Sequence, residues 1–167
     1  MPPPLRAAAA HGIAYRPIGE RDLPFLARVY ASTRLEEVAS TGWPPEVQQN
    51  FLAQQFDAQH RHYMASYPTA EWLVIERSGE GVGRLYMDEW REEIRLIDIA
   101  LLPHARGSGI GGAILADLQA MAAATGKPLT IHVEKNNPAR TLYDRLGFVR
   151  IDEHGIYDLM EWRRAPS

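Results

Sequence analysis

The chain has no cysteine among its 167 residues, which excludes a disulfide framework, a thiolate metal site and a cysteine nucleophile. No apolar run approaches the ~18 residues needed to span a bilayer. Surplus positive charge is also missing: 18 Lys and Arg stand against 21 Asp and Glu, a formal net charge of -3. That balance argues against a protein built to hold nucleic acid or an anionic membrane. No HExxH or comparable ligand cluster occurs. His60 and His62 are two apart on a helical stretch and face different sides, so no metal site is expected. The opening Met-Pro-Pro-Pro-Leu-Arg and Ala7–Ala10 have too little apolar bulk for a secretory signal. They read as a flexible extension over residues 1–12 of a cytoplasmic protein, ahead of one domain over 13–167.

What remains is enough apolar material, 46% of residues, to bury a core without staples. Ile13 to Ile18 reads as a first strand. Asp22 offers an N-cap to a helix opened by Leu23-Pro24. After the Gly42-Trp43-Pro44-Pro45 break, Val47, Phe51, Leu52, Phe56 and Tyr63 keep helical spacing until Pro68. Trp72–Glu76 and Val82–Trp90 form a hairpin around Ser78–Gly81, and Ile94–Leu102 adds a third strand. Gly111–Thr125 is helical, closed by Gly126 and Pro128. Leu129–Glu134 is a strand, about Pro138–Leu146 a helix, and a hairpin turns at His154-Gly155. The order describes a mixed α/β domain.

The most informative stretch is Leu101 to Gly112, which joins a strand to a helix. Its glycines let the backbone approach a ligand and aim several N–H groups at it. The helix start adds partial positive charge, so the place suits a phosphate or pyrophosphate. Gly107, Gly109 and Gly112 spell the G-x-G-x-x-G of a dinucleotide fold, with Glu134 about twenty residues on. Position argues against that reading, because about a hundred residues precede the loop and too few parallel strands follow it. No Gly-Lys-Ser/Thr completes a Walker loop, and Arg106 stands where a G-x-S-x-G elbow needs glycine.

A second signature, Arg/Gln-x-x-G-x-G, is matched by Arg106-Gly107-Ser108-Gly109-Ile110-Gly111. Downstream, in Asn137-Pro138-Ala139-Arg140-Thr141-Leu142-Tyr143-Asp144-Arg145-Leu146-Gly147-Phe148, the run from Ala139 matches the A-x-x-L-Y-x-x-L-G-F of N-x-x-A-x-x-L-Y-x-x-L-G-F, and Asn137 stands one residue nearer the alanine than the pattern's asparagine. With both blocks the sequence resembles the GNAT superfamily of N-acetyltransferases from about Ile13 to Trp162. The resemblance implies a mixed, V-shaped central sheet flanked by helices, with acetyl-CoA as acyl donor. It implies that the main chain of Ile99, Ala100, Leu101 and Leu102 meets the pantetheine arm. The pyrophosphate would lie on Arg106, Gly107, Ser108, Gly109, Ile110, Gly111 and Gly112. Asn137 resembles the asparagine that meets the cofactor arm; its alternative is a cap before Pro138. Members of the family often dimerise through sheet edges or C-terminal strands, so a homodimer is compatible with the resemblance.

Acyl transfer to an amine needs a neutral amine, donors for the tetrahedral oxyanion and a proton for the leaving thiolate. Tyr143 matches the family's general acid, and a phenol with pKa ~10 stays protonated at neutral pH; the alternative is helix-face packing. For the base, Thr130, His132 and Glu134 share one strand face. His132 occupies a place where some members carry a glutamate, with a buried structural histidine as the alternative. Asp98, inside Ile97-Asp98-Ile99, is a candidate to orient His132 or bind the amine. Acceptor contacts are expected from Glu36, Glu37, Trp43 and Tyr86. The reading is an N-acetyltransferase acting on a primary amine by direct transfer. The alternative is a catalytically silent acyl-CoA-binding module.

Overall fold

The computed structural model describes residues 2–165. Among the described residues seven strands form one mixed sheet. They are Ile13–Pro17 (β1), Glu71–Arg77 (β2), Glu80–Glu89 (β3), Ile94–Leu101 (β4), Leu129–Glu134 (β5), Val149–His154 (β6) and Tyr157–Trp162 (β7), in spatial order β1-β2-β3-β4-β5-β7-β6. Five α-helices among the described residues accompany it: Leu23–Ser32 (α1), Leu35–Ala39 (α2), Pro45–Ser66 (α3), Ile110–Thr125 (α4) and Arg140–Arg145 (α5). None of the described helices is long and apolar enough to cross a membrane.

Alternation along the strands sorts the sheet into two faces. Leu73, Ile75, Leu85, Met87, Ile94, Leu96, Leu129 and Ile131 are buried on one face against Ile114, Leu115 and Leu118 of α4. The other face carries Arg84, Tyr86 and Asp88, and α1 and α3 lie over it around Leu26, Tyr30 and Phe56.

One join in the sheet is incomplete. β4 and β5 run parallel but pair only over Ile94–Leu96 with Leu129–Ile131. Beyond those three pairs they diverge, and β4 changes from buried residues to partly exposed ones from Ile97 onward. A bulge precedes the separation: Met87 faces Leu96 and Tyr86 faces Asp98, leaving Ile97 as the extra residue. It shifts the alternation by one, so Asp98 joins the face of Tyr86 while Ile99 and Leu101 return to the core side. The expected V-shaped sheet is therefore present.

The chain start differs from the expected flexible extension over residues 1–12. Asp117, a carboxylate on α4 only 3% exposed, accepts the N–H groups of Arg6 at 3.2 Å, Ala7 at 2.8 Å and Ala8 at 3.0 Å. Ala8 is fully buried, so its small side chain is part of the core and not of a loose tail. At the far edge, β6 is exposed throughout, with Val149 and Ile151 turned outward.

Removing the Asp117 carboxylate strands three backbone donors, a loss of about 2–3 kcal/mol for charge-assisted bonds. Asp117→Ala is expected to lower the thermal midpoint by about 5–10 °C at this size, measured by calorimetry. An unchanged midpoint would mean that the chain start is not anchored there.

Candidate active site

The opening between β4 and β5 collects the residues singled out by the sequence. Leu102 donates its N–H to Val82 at 2.8 Å on the β3 side. Antiparallel alternation then turns the main-chain groups of Leu101 and Ile99 the other way, into the opening. Leu102 and Ala100 face β3 with their polar groups, so within Ile99–Leu102 the main chain left to a ligand is that of Ile99 and the N–H of Leu101.

The loop from β4 to α4 is shaped by left-handed glycines. Gly107 has φ +74° and Gly109, which caps α4, has φ +85°. A side chain at either would be strained. A β-carbon on Gly107 would meet nothing within 4 Å, so the loop surface is open there. Ser108 turns its hydroxyl inward, donating to Ala105 O at 3.0 Å. Ile110 is buried in the core, and Gly111 and Gly112 lie beside Leu142 of α5. Two of the three guanidinium nitrogens of Arg106 are engaged within the protein. Its Nε donates to Leu101 O at 2.9 Å and its Nη2 to Ser32 Oγ at 3.1 Å, so it ties the end of β4 to the end of α1.

Tyr143 is 3% exposed, packed edge-on to Phe148 at 5.4 Å. Burial first, and the Asp98 carboxylate second, push its phenol above the ordinary tyrosine range. Asp98 forms an ion pair with Arg84, which is 2% exposed. Arg84 also donates to Gln59 of α3 at 2.9 Å and stands 5.0 Å from the centre of the Tyr86 ring. Tyr86 is fully buried beneath Trp72 and Tyr63, so it supports the site from below and does not present itself to an acceptor. Asp98 does not orient His132.

His132 is exposed and engaged elsewhere. Its Nδ1 lies 3.2 Å from Arg95 Nη1, an arrangement that uses the ring's lone pair to accept from the guanidinium. Its ring sits 5.7 Å from that of His154. Desolvation, Arg95 and His154 lower its pKa. A neutral imidazole whose lone pair is already bonded is poorly placed to take a substrate proton, which removes the basis for the expected base role. Glu134, at the end of β5, pairs with Arg34 at 3.1 Å. Asn137 accepts Ala139 N–H at 2.8 Å through Oδ1, the capping alternative, and its amide nitrogen remains at the exposed loop.

A cavity of about 200 Å³ borders the open end of the V, between Tyr30, Arg34, Glu37, Phe51, Glu134 and Ile156. Glu37 lines it and Glu36 does not. Trp43 stands outside that lining, 40% exposed and edge-on to Phe51 at 5.3 Å. Arg34, Arg84 and Gln59 went unrecognised in the sequence. A lone arginine in the apolar run Val82–Met87, with a lone aspartate in Ile97–Ile99 of the next strand, was the available signal for one of them. No group of three or more His, Cys, Asp or Glu side chains able to hold a metal occurs among the described residues.

The two lowered imidazoles, His132 and His60, give a pH signature. Below about pH 6.5 the unfolded chain takes up protons on them that the fold resists, so stability falls as pH drops through that value. His132→Gln is expected to reduce the difference between urea midpoints at about pH 7.5 and about pH 5.5. An unchanged difference would show that Arg95 does not hold the ring neutral.

Residues 68–150 match the family model described as an acetyltransferase (GNAT) domain. No curated protein sequence matches the chain. The solved PaiA N-acetyltransferase of Thermoplasma acidophilum, in complex with coenzyme A, is 16% identical with a TM-score of 0.67, covering 91% of this chain and 99% of that one. A GNAT family acetyltransferase from Elizabethkingia anophelis with acetyl-CoA bound is 18% identical at a TM-score of 0.58, covering 92% and 99%. Ard1 from Thermoplasma volcanium is 20% identical at 0.60, covering 91% and 97%. These structures share the fold, and the family model reaches the glycine loop, β5 and α5 together: residues 68–150 of the chain belong to a GNAT acetyltransferase domain.

Proposed function

We propose that the protein transfers an acetyl group from acetyl-CoA to a primary amine by direct attack, without a covalent enzyme intermediate. The observation that carries this reading is the polar main chain of Ile99 and the N–H of Leu101, turned into an opening that leads to a glycine-capped helix start. Those groups suit an amide-bearing arm, and the amides of Gly107–Gly111 suit a pyrophosphate. The two structural neighbours solved with coenzyme A or acetyl-CoA support the same choice.

When bound, acetyl-CoA supplies a thioester whose thiolate leaves readily. The chain's own part is then mostly positioning. Tyr143 remains protonated at neutral pH, since burial and Asp98 both oppose the phenolate. A phenol raised in this way is a weak acid against a thiol of pKa ~8.5. It serves as a hydrogen-bond donor to the departing sulfur, and the proton that neutralises the thiolate comes from the attacking nitrogen. Arg84 holds the Asp98 side chain in place through their ion pair. No side chain among those described near Tyr143 stands as a free base, so the amine enters already neutral or loses its proton to water.

The cavity between α1, α2, α3, β5 and the β6–β7 turn is the acceptor entrance, where Glu37 and Glu134 flank Arg34 and pair with it at 3.4 and 3.1 Å. The outward edge of β6 is where a second copy would add to the sheet. The lack of a free base also fits a module that binds acyl-CoA without turnover, and one assay separates the two. Thiol release from acetyl-CoA is measured across a panel of primary amines, beside calorimetric binding of CoA. Turnover is expected for wild type, and Tyr143→Phe should cut kcat by about 10–100-fold while CoA affinity stays within about twofold. Full turnover in Tyr143→Phe would remove the tyrosine from the reaction. Binding without turnover would favour the silent module, and no binding would overturn the reading.

A further inference from the structure

The anchored chain start places one side chain beside the glycine loop. Ala8 O accepts the N–H groups of both His11, at 2.9 Å, and Ile13, at 3.2 Å. Gly12 donates to Ala9 O at 2.9 Å and turns the chain with φ +74°. With Asp117 holding Arg6, Ala7 and Ala8, these bonds make a rigid turn between α4 and β1 that ends on His11. The imidazole rests against the loop: a β-carbon on Gly109 would stand 3.2 Å from its Cε1 and 3.7 Å from its Nε2. His11 is exposed, and its ring has no hydrogen-bond partner among the described residues.

The loop's own cationic side chain, Arg106, gives two of its three guanidinium nitrogens to Leu101 and Ser32. An imidazole carries an N–H donor in either tautomer. His11 therefore brings a side-chain donor, free of protein partners, to the start of the sixteen-residue helix α4. We propose that His11 is a phosphate-contacting residue of the acyl-CoA site, donating to a pyrophosphate oxygen, and that the Asp117 clasp positions it. The proposal rests on the acyl-CoA reading above. It assigns a binding role to a segment that precedes the matched family domain, so it concerns a feature of this chain itself.

The experiment is calorimetric titration of CoA and of dephospho-CoA, which lacks the 3′-phosphate, into wild type, His11→Ala, His11→Gln and Asp117→Ala. His11→Ala is expected to weaken both ligands by the same factor, about 3–10-fold for one hydrogen bond to an anion. His11→Gln, which keeps an N–H donor, should recover most of the loss. Asp117→Ala should reproduce the His11→Ala effect, and the double variant should add little to either. Equal affinities of wild type and His11→Ala would overturn the proposal, while leaving the acyl-CoA reading intact. A loss seen with CoA but not with dephospho-CoA would move the contact to the 3′-phosphate and overturn the pyrophosphate assignment. Wild type that binds neither ligand would instead refute the acyl-CoA reading, and this proposal with it. His11→Ala touches no buried group, so it folds even if Asp117→Ala proves too unstable to titrate.

Discussion

β4 and β5 share three residue pairs and then part, and a strand that stops pairing inside a sheet leaves main-chain donors and acceptors that must be satisfied some other way. Here the unmatched groups are those of Ile99 and Leu101. One of them, Leu101 O, is taken by Arg106 Nε; the remainder face the opening. The Ile97 bulge directs this arrangement. It turns Asp98 to the polar face and gives Ile99 and Leu101 their apolar anchorage below. The same insertion thus sets where the charge stands and which amides are free.

Arginines fix the arms of the opening. Arg84 holds Asp98 on the β4 side, Arg95 holds His132 on β5, and Arg34 holds Glu134 at the β5 tip. Arg106 and Ser32 join the β4 tip to the end of α1, and Arg34 follows that same helix end. The junction of α1 with α2 is therefore tied to both arms where they are farthest apart. Such bonds offset the missing strand pairs and keep the two arms from closing on one another. They also consume the lone pairs and charges that a base would need, so the proposed chemistry rests on orientation and on the Tyr143 hydroxyl.

Much of the architecture was legible because period and punctuation agreed. Leu129–Glu134 has the bounds that its apolar run predicted, and Pro24, Pro45 and Gly126 mark helix ends where their backbone constraints require. The paired motifs around Arg106 and Asn137 led to the family. What escaped was tertiary. The bulge inserts one residue without any glycine or proline to announce it, so simple alternation misplaces Asp98. The five-residue helix α2 is too short for a periodic signal, and the insertion of β7 between β5 and β6 is a matter of pairing that no local pattern encodes. An alanine-rich start reads as loose until Asp117, more than a hundred residues away, is seen to hold it. The role expected of His132 fell for the same reason: Arg95 is its neighbour only across the parallel pair.

The central claim is that acetyl-CoA enters the gap between β4 and β5, and hydrogen exchange tests it at the level of single amides. Saturating acetyl-CoA is expected to slow exchange at Ile99 and Leu101 and through Gly107–Gly111, with β1 and β2 unchanged. Protection confined to other surfaces, or none at saturating ligand, would contradict the account.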